Sequence, residues 1–276
     1  MRKLKAWIPL SIMCMVHSLP AQACTPVDYL KLKLPEIDSE PEKIALKMSY
    51  PGIQFSEDGT KISHDGIDWI AYGSYRSKSP QELLRDPTIK EQFSYVYSLD
   101  FDLSQRKMPF FDPGRPRNGA FFEVTYFDNE ESAQQSLVNV TEPRLAGTDF
   151  WVTEKHGVSC QLRAALSHLS FKSEDFSPFF RKPGGGFNWR RISGTKRLSP
   201  HSFGIAIDIN PQLGQYWKWT GAIEGEVGPY HNKVPEALVR TMERFGFVWG
   251  GKWHHFDGMH FEYRPEIILY SRIAAR

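Results

Sequence analysis

Ser199-Pro200-His201-Ser202-Phe203-Gly204-Ile205-Ala206-Ile207-Asp208-Ile209-Asn210 is the stretch on which the reading of this chain turns. From Ile205 to Ile209 the residues alternate. A period of two places Ile205, Ile207 and Ile209 on one face of a strand and Ala206, Asp208 and Asn210 on the other. Asp208 is thereby a carboxylate on a rigid element. Gly204, just ahead of the strand, can adopt backbone angles closed to other residues, so His201 on the incoming loop is expected to fold back over the face carrying Asp208. A second stretch, Trp253-His254-His255-Phe256-Asp257-Gly258-Met259-His260-Phe261-Glu262-Tyr263, repeats the pattern. Met259, Phe261 and Tyr263 alternate with Gly258, His260 and Glu262, which sets His260 on the polar face of another short strand.

Two imidazoles and one carboxylate match the donor set of a catalytic zinc ion, in which three protein ligands at about 2.0–2.2 Å leave the fourth tetrahedral position to water. His201, Asp208 and His260 are the expected ligands and Zn2+ the expected cofactor, with other divalent ions left open. Asp257, a spare carboxylate at the Gly turn before the second strand, is the expected general base. His254 and His255 adjoin Asp257 and stand as alternatives to His260, or as donors that brace a ligand or an oxyanion. Glu262 either orients a ligand imidazole through its other nitrogen or pairs with a surface cation. Ser199 either binds substrate or caps its loop.

The paired motif Ser-x-His-x-x-Gly-x-Ala-x-Asp and Asp-x-x-His-Phe-Glu is carried by Ser199, His201, Gly204, Ala206 and Asp208, then by Asp257, His260, Phe261 and Glu262. It resembles the M15 peptidase family, the zinc D-Ala-D-Ala carboxypeptidases and L-alanyl-D-glutamate endopeptidases. Asp rather than Glu before the last His is similar to the endolysin-type L-alanyl-D-glutamate branch. The resemblance covers about the last hundred residues. Upstream, Asp112-Pro113-Gly114-Arg115 and Trp189-Arg190-Arg191-Ile192-Ser193-Gly194-Thr195 are more weakly similar to segments of bacterial M15-like proteins. The resemblance implies an α+β fold, a small antiparallel sheet flanked by helices as in hedgehog domains and DD-peptidases. It also implies hydrolysis of peptide bonds in peptidoglycan stem peptides, with Asp257 moving the proton. Hedgehog signalling domains share this fold and supply the rival reading, a noncatalytic zinc-stabilised cell-wall-binding or signalling module. Asp257 favours the enzyme, because a purely structural zinc is closed by four protein ligands and needs no spare base.

The whole chain is consistent with this. Its 276 residues, 41% hydrophobic and 14% aromatic, suffice for a packed core. A formal net charge of +2 without runs of Lys or Arg gives no support for nucleic-acid binding. Met1-Arg2-Lys3-Leu4-Lys5, an apolar run from Ala6 to Val16 and Ala21-Gln22-Ala23 describe a secretory signal peptide over 1–23, too short for a membrane span. The expected protein is exported, periplasmic or secreted, and monomeric. Cleavage after Ala23 leaves Cys24 at the new N-terminus, so a lipoprotein is the alternative to the soluble form. Cys24 and Cys160 are either disulfide-bonded or two separate thiols.

In order, 24–110 is an N-terminal extension of unassigned role and 111–276 the peptidase-like domain. Within the extension, residues 25–49 suggest a surface-hugging arm, Ile53–Tyr75 short strands, and Pro80–Arg85 a helical turn or two capped by Ser79. Phe121–Phe127 reads as a strand, followed by a helix capped by Asp128 or Asn129 and running to about Val140. Phe150–Thr153 reads as a strand and Gln161–Leu169 as a helix. Pro183-Gly184-Gly185-Gly186 reads as a hairpin turn. Phe187, Trp189 and Arg191 then share one face of an extended segment, which makes Arg191 the expected arginine of the site, with a surface Arg pair as the alternative. Pro211–Asn232 is a long loop suited to shaping substrate access. Pro235–Phe245 is a helix stopped by Gly246, and Phe247–Trp249 a strand.

Overall fold

The computed structural model describes residues 24–38, 40–192 and 195–276. The expected signal peptide, 1–23, lies outside the described residues, as do Ser193 and Gly194 of the Trp189–Thr195 segment. The described residues form an α+β structure with three small antiparallel sheets.

Residues 25–49, expected as a surface-hugging arm, are in part built into the core. The first helix, α1 (Pro41–Ser49), begins on a proline, where the missing N–H costs nothing, and buries Ile44, Ala45 and Leu46. A meander of β1 (Gln54–Phe55), β2 (Lys61–Ser63) and β3 (Ile70–Ala71) follows, with Phe55 opposite Ile62 and Ile62 opposite Ile70. Helix α2 (Pro80–Arg85) starts at Ser79, whose hydroxyl accepts from the Glu82 N–H while the Glu82 carboxylate accepts from the Ser79 N–H.

Two expectations give way next. Phe121–Phe127 is not a strand; Gly119–Thr125 is helix α3. The Asn118 side chain accepts from the Phe121 N–H at 2.9 Å and starts a helical turn. Phe121, Phe122, Thr125 and Tyr126 then bury one helical face, so packing overrides the β preference of aromatic residues. The following helix, α4 (Glu130–Gln135), has Asn129 as its cap but ends well before Val140. Leu137–Thr141 is instead strand β4, paired along its length with β5 (Asp149–Thr153). Its Val138, Val140 and Thr141 suit a half-buried ladder better than a helix.

Helix α5 (Val158–Ser170) buries Leu162, Ala165, Leu166 and Leu169, and a short α6 (Ser177–Phe180) leads to the region of the two motifs. There β6 (Ala206–Asp208), helix α7 (Glu236–Arg244), β7 (Phe247–Trp249) and β8 (His260–Tyr263) build a sheet in the order β6-β8-β7, closed by helix α8 (Pro265–Ala274). In this sheet Ala206 faces Glu262, Ile207 faces Phe261 and Asp208 faces His260. Ile205, Ile207, Ile209, Phe261 and Tyr263 are fully buried and pack with α5, α7 and α8. The same hydrophobic cluster takes in Ile44, Leu46, Tyr50, Phe93 and Tyr97 of the extension.

Polar ties bind the extension as well. The Tyr29 and Tyr263 hydroxyls lie 2.8 Å apart, and the Tyr50 and Tyr97 hydroxyls donate to Glu266 and Glu243, each at 2.7 Å. Cys24 and Cys160 form a disulfide, Cα to Cα 5.6 Å, pinning the start of the described chain to α5 across 136 residues of sequence. A cross-link that closes so long a loop restricts the unfolded chain strongly, and Cys160→Ala is expected to cost about 2–4 kcal/mol. Thermal unfolding checks this: the midpoint falls in the variant and, to the same extent, when the native protein is reduced.

Candidate metal centre

Three donor atoms converge above the β6–β8 pair. Asp208 and His260 are directly opposite each other in the ladder, so their side chains leave the same face side by side. His260 Nδ1 lies 2.9 Å from Asp208 Oδ1. His201 comes from the short helical turn Pro200–Phe203 that enters β6, and its Nε2 lies 3.3 Å from both His260 Nδ1 and Asp208 Oδ2. The turn is reversed by Gly204, at φ 65°. A Cβ there would also stand 2.8 Å from the Thr153 nitrogen, so both backbone angle and space require glycine.

The far nitrogen of each imidazole is occupied. His201 Nδ1–H donates to the Gly186 carbonyl at 2.6 Å, which leaves the Nε2 lone pair facing Asp208 and His260. His260 Nε2 faces the Glu262 carboxylate at 3.4 Å, because Glu262 is two residues further along the same face of β8. The Pro183–Gly186 run is therefore not a hairpin turn. Gly185 pairs with Asp208 as an extra extended segment on the edge of β6, and the Phe187 N–H donates to the Trp151 carbonyl at 2.9 Å. The glycines are there for closeness: a Cβ on Gly184 would stand 2.7 Å from the Asp208 Cβ, and one on Gly186 2.5 Å from the Trp151 oxygen.

These residues fit a divalent metal of the zinc type. A tetrahedral ion with ligands at about 2.0–2.1 Å has donor-to-donor edges of about 3.4 Å; His201 Nε2 and His260 Nδ1 are 3.3 Å apart, and one donor atom from each of the three residues lies within 4.8 Å of the other two. The local field also calls for a cation. Burial pushes the Asp208 carboxyl up, but His201 and His260 outweigh it and hold it well below the usual carboxylate range. Burial pushes the His260 imidazole down, but Asp208, Glu262 and Asp257 together raise it to about 9.

Asp257 sits at the turn into β8, lines the same cavity and makes none of these contacts; its Oδ1 is buried without a hydrogen-bond partner among the described residues. Burial and the neighbouring Asp208 charge raise its carboxyl to about 6, against the opposing pull of His260 and Arg115. The cavity, about 610 Å³, is also lined by Arg115, Arg117, Arg190, Arg197, Ser199, Tyr216, Trp217 and Trp253. Ser199 is buried, lines the cavity and accepts from the His201 N–H at 3.4 Å as the cap of its turn.

Arg191 is not in this cavity. It is exposed, pairs with Leu198 and donates to the Lys196 carbonyl, and with Trp189 it lines a neighbouring cavity. The face it shares with the aromatic residue therefore looks away from the metal ligands, while Arg190 lines both cavities. His254 and His255 are not ligands either. His255 Nδ1–H donates to Asp112 at 2.6 Å while its Nε2 accepts from the Gly225 N–H at 2.9 Å; His254 lies between the Arg106 and Gly225 carbonyls. They brace the 211–232 loop. Arg115 and Arg117 lie on the approach to α3, where no alternation or spacing marks them as site residues; Arg115 closes the Asp-Pro-Gly-Arg segment.

Residues 193–263 match the M15 peptidase family model described as D-alanyl-D-alanine carboxypeptidase. The matched stretch contains all three donors and Asp257. No curated protein and no solved structure matches the chain.

Two outcomes follow from the geometry. Gly184→Ala forces the Asp208 side chain to move and is expected to weaken zinc binding about tenfold or more, measured by competition with a chelator. Asp257, with a carboxyl raised above its unfolded value, makes metal-free native protein lose stability as pH rises from about 4 through about 6. Metal-free Asp257→Asn is therefore expected to be more stable than the native protein by on the order of 1–3 kcal/mol at pH 7 and equal to it near pH 4, read from urea unfolding at the two pH values.

Proposed function

We propose that this chain, of the M15 peptidase family over the stretch that carries its site, is a zinc-dependent peptidase acting on peptide bonds of peptidoglycan stem peptides. The single observation that supports it most is the pairing of a three-donor cluster with a half-buried carboxylate, its Oδ1 without a hydrogen-bond partner among the described residues, in one open cavity. A closed structural site leaves neither an open coordination position nor a spare acid.

His201, Asp208 and His260 would hold the ion. When bound there, a zinc ion would supply Lewis acidity toward a carbonyl and a water with its pKa lowered to about 7. Asp257 takes the proton of the attacking water on its carboxylate and returns it to the leaving amine, the double duty of a single acid/base residue. The cationic wall orients the substrate. Arg115 is held 3.7 Å from Asp112 with its guanidinium near the rings of Trp217 and Trp253. Neither Arg190 nor Arg197 has a carboxylate partner among the described residues. Burial and the nearby Arg117 and Arg115 lower the Arg197 guanidinium to about 10, so an incoming carboxylate relieves this crowding. Stem peptides, rich in carboxylates, are complementary to such a wall.

The fold we assign is that of the hedgehog and DD-peptidase zinc domains. Export is our reading of its location, supported by the 1–23 segment and by the Cys24–Cys160 disulfide, which persists in an oxidising compartment.

Asp257→Asn is expected to keep one equivalent of zinc and lose about 100- to 10,000-fold in turnover of muropeptides, whereas His201→Ala loses both metal and activity. Mass spectrometry of products from digested sacculi together with metal analysis checks this. Native protein that holds zinc yet cleaves no muropeptide would favour the noncatalytic module.

A further inference from the structure

Glu262 is fully buried beneath the candidate metal site, and its surroundings are unusually specific. Arg117 Nε lies 2.9 Å from each of its oxygens, and a second guanidinium nitrogen of Arg117 also donates to Oε2. Arg264 approaches Oε1 from the other side at 3.3 Å, fixed in turn by the Gly114 carbonyl at 2.8 Å and by Glu266. Arg117 is itself restrained. Its NH1 donates to the Arg115 carbonyl at 3.2 Å, and its guanidinium lies 5.4 Å from the centre of the Trp253 ring. That ring stands 5.7 Å from the His260 ring and is anchored by its Nε1–H on the Pro113 carbonyl at 2.7 Å. His260 thus has Glu262 at its Nε2 and the tilted Trp253 ring beside it, and Arg117 touches both of these neighbours.

We propose that Arg117 is a positioning residue for the metal: its forked grip on Glu262 sets the carboxylate that fixes the His260 ring, so that Nδ1 points at the ion. Arg117 precedes α3 and lies outside the stretch matched to the peptidase family. The chain therefore completes its ligand set with a support drawn from elsewhere in the fold. A point charge is not enough for this role. The planar fork matches a carboxylate in two places at once, which an ammonium group cannot do. Partners of ligating histidines of this kind typically govern affinity by about 10–100-fold.

The assignment rests on the metal reading above, and zinc alone is the probe that tests them apart. Full-length native protein, Arg117→Lys, Glu262→Gln and the double variant are titrated with zinc against a chelator, with folding followed by circular dichroism. Expected are a 10–100-fold loss of zinc affinity in Arg117→Lys, a loss in Glu262→Gln, and a double variant no weaker than the worse single one, because both act through one carboxylate. The visible spectrum of the cobalt-loaded protein should shift in Arg117→Lys, a change that a purely scaffolding role does not produce. Native zinc binding with unaltered affinity in Arg117→Lys, or losses that simply add, overturns the assignment. Should Arg117→Lys fail to fold, Glu262→Gln decides: native affinity in that variant overturns it. Native protein that takes up no zinc sinks the metal reading, and this assignment with it.

Discussion

The site depends on one register. Asp208 and His260 face each other only because β6 and β8 pair as they do, and a slip of one residue would turn one of them to the opposite face. The register is held from below. Ile207 and Phe261, also opposite each other, are fully buried, as are Ile205, Ile209 and Tyr263 on the same side. Full burial of each such side chain is worth about 1.5–3 kcal/mol, so exposing that face is far costlier than any gain from a different polar pairing. Apolar alternation thereby fixes the positions of groups that take no part in the core. His201 is delivered separately, by a turn that Gly204 allows and the Gly186 carbonyl aims.

Three carboxylates share this small space, and each meets the cost of burial differently. Burial opposes the charge of Glu262, but Arg117, His260 and Arg264 hold its carboxyl well below the usual range. Asp208 is balanced by two imidazoles. Asp257 has no comparable partner among the described residues, and its carboxyl rises. The gradation separates the roles: a group locked in its charged form can orient or ligate, while one poised near neutrality can accept and release a proton. Keeping that third acid unpaired lowers stability, which is the usual signature of a group retained for chemistry.

Legibility in the sequence followed the range of the interactions. The two alternating stretches, the Ser79 cap and the Gly246 stop are short-range signals, and the structure has a strand or a helix boundary at each. Phe121–Phe127 misled because aromatic content speaks for a strand, while the cap at Asn118 and the buried face of α3 speak for a helix. The glycine run misled for another reason. Its residues are small because Asp208 and Trp151, distant in sequence, press on them, and nothing local separates that from a turn. Arg191 shows the same limit: alternation tells which residues share a face, never which face meets the ligands. Arg190, on the opposite face of that same segment, could be told from Arg191 only by knowing which face meets the ligands, and Arg117 carries no local signal.

The extension, finally, is a wall of the site as well as part of the core. Leu84 and Arg85 line the cavity alongside Ala222, Ile223 and Glu224 of the long loop, and Arg85 reaches Glu224 at 2.9 Å. Arg106 stacks near the rings of Tyr230 and Phe256, and the Phe110 ring packs against Gly225 so closely that a Cβ there would stand 2.8 Å from it. The loop is thus held from the extension side at several points. The exposed Arg85–Glu224 pair adds little energy, since solvent screens it, yet it marks where two separate parts of the chain meet over the opening. The donors and the acid come from the stretch matched to the peptidase family, and part of the opening comes from outside it. Changes at the donors and the acid therefore bear on the site itself, whereas changes in α2, in residues 106–110 or in the long loop bear on what can approach it.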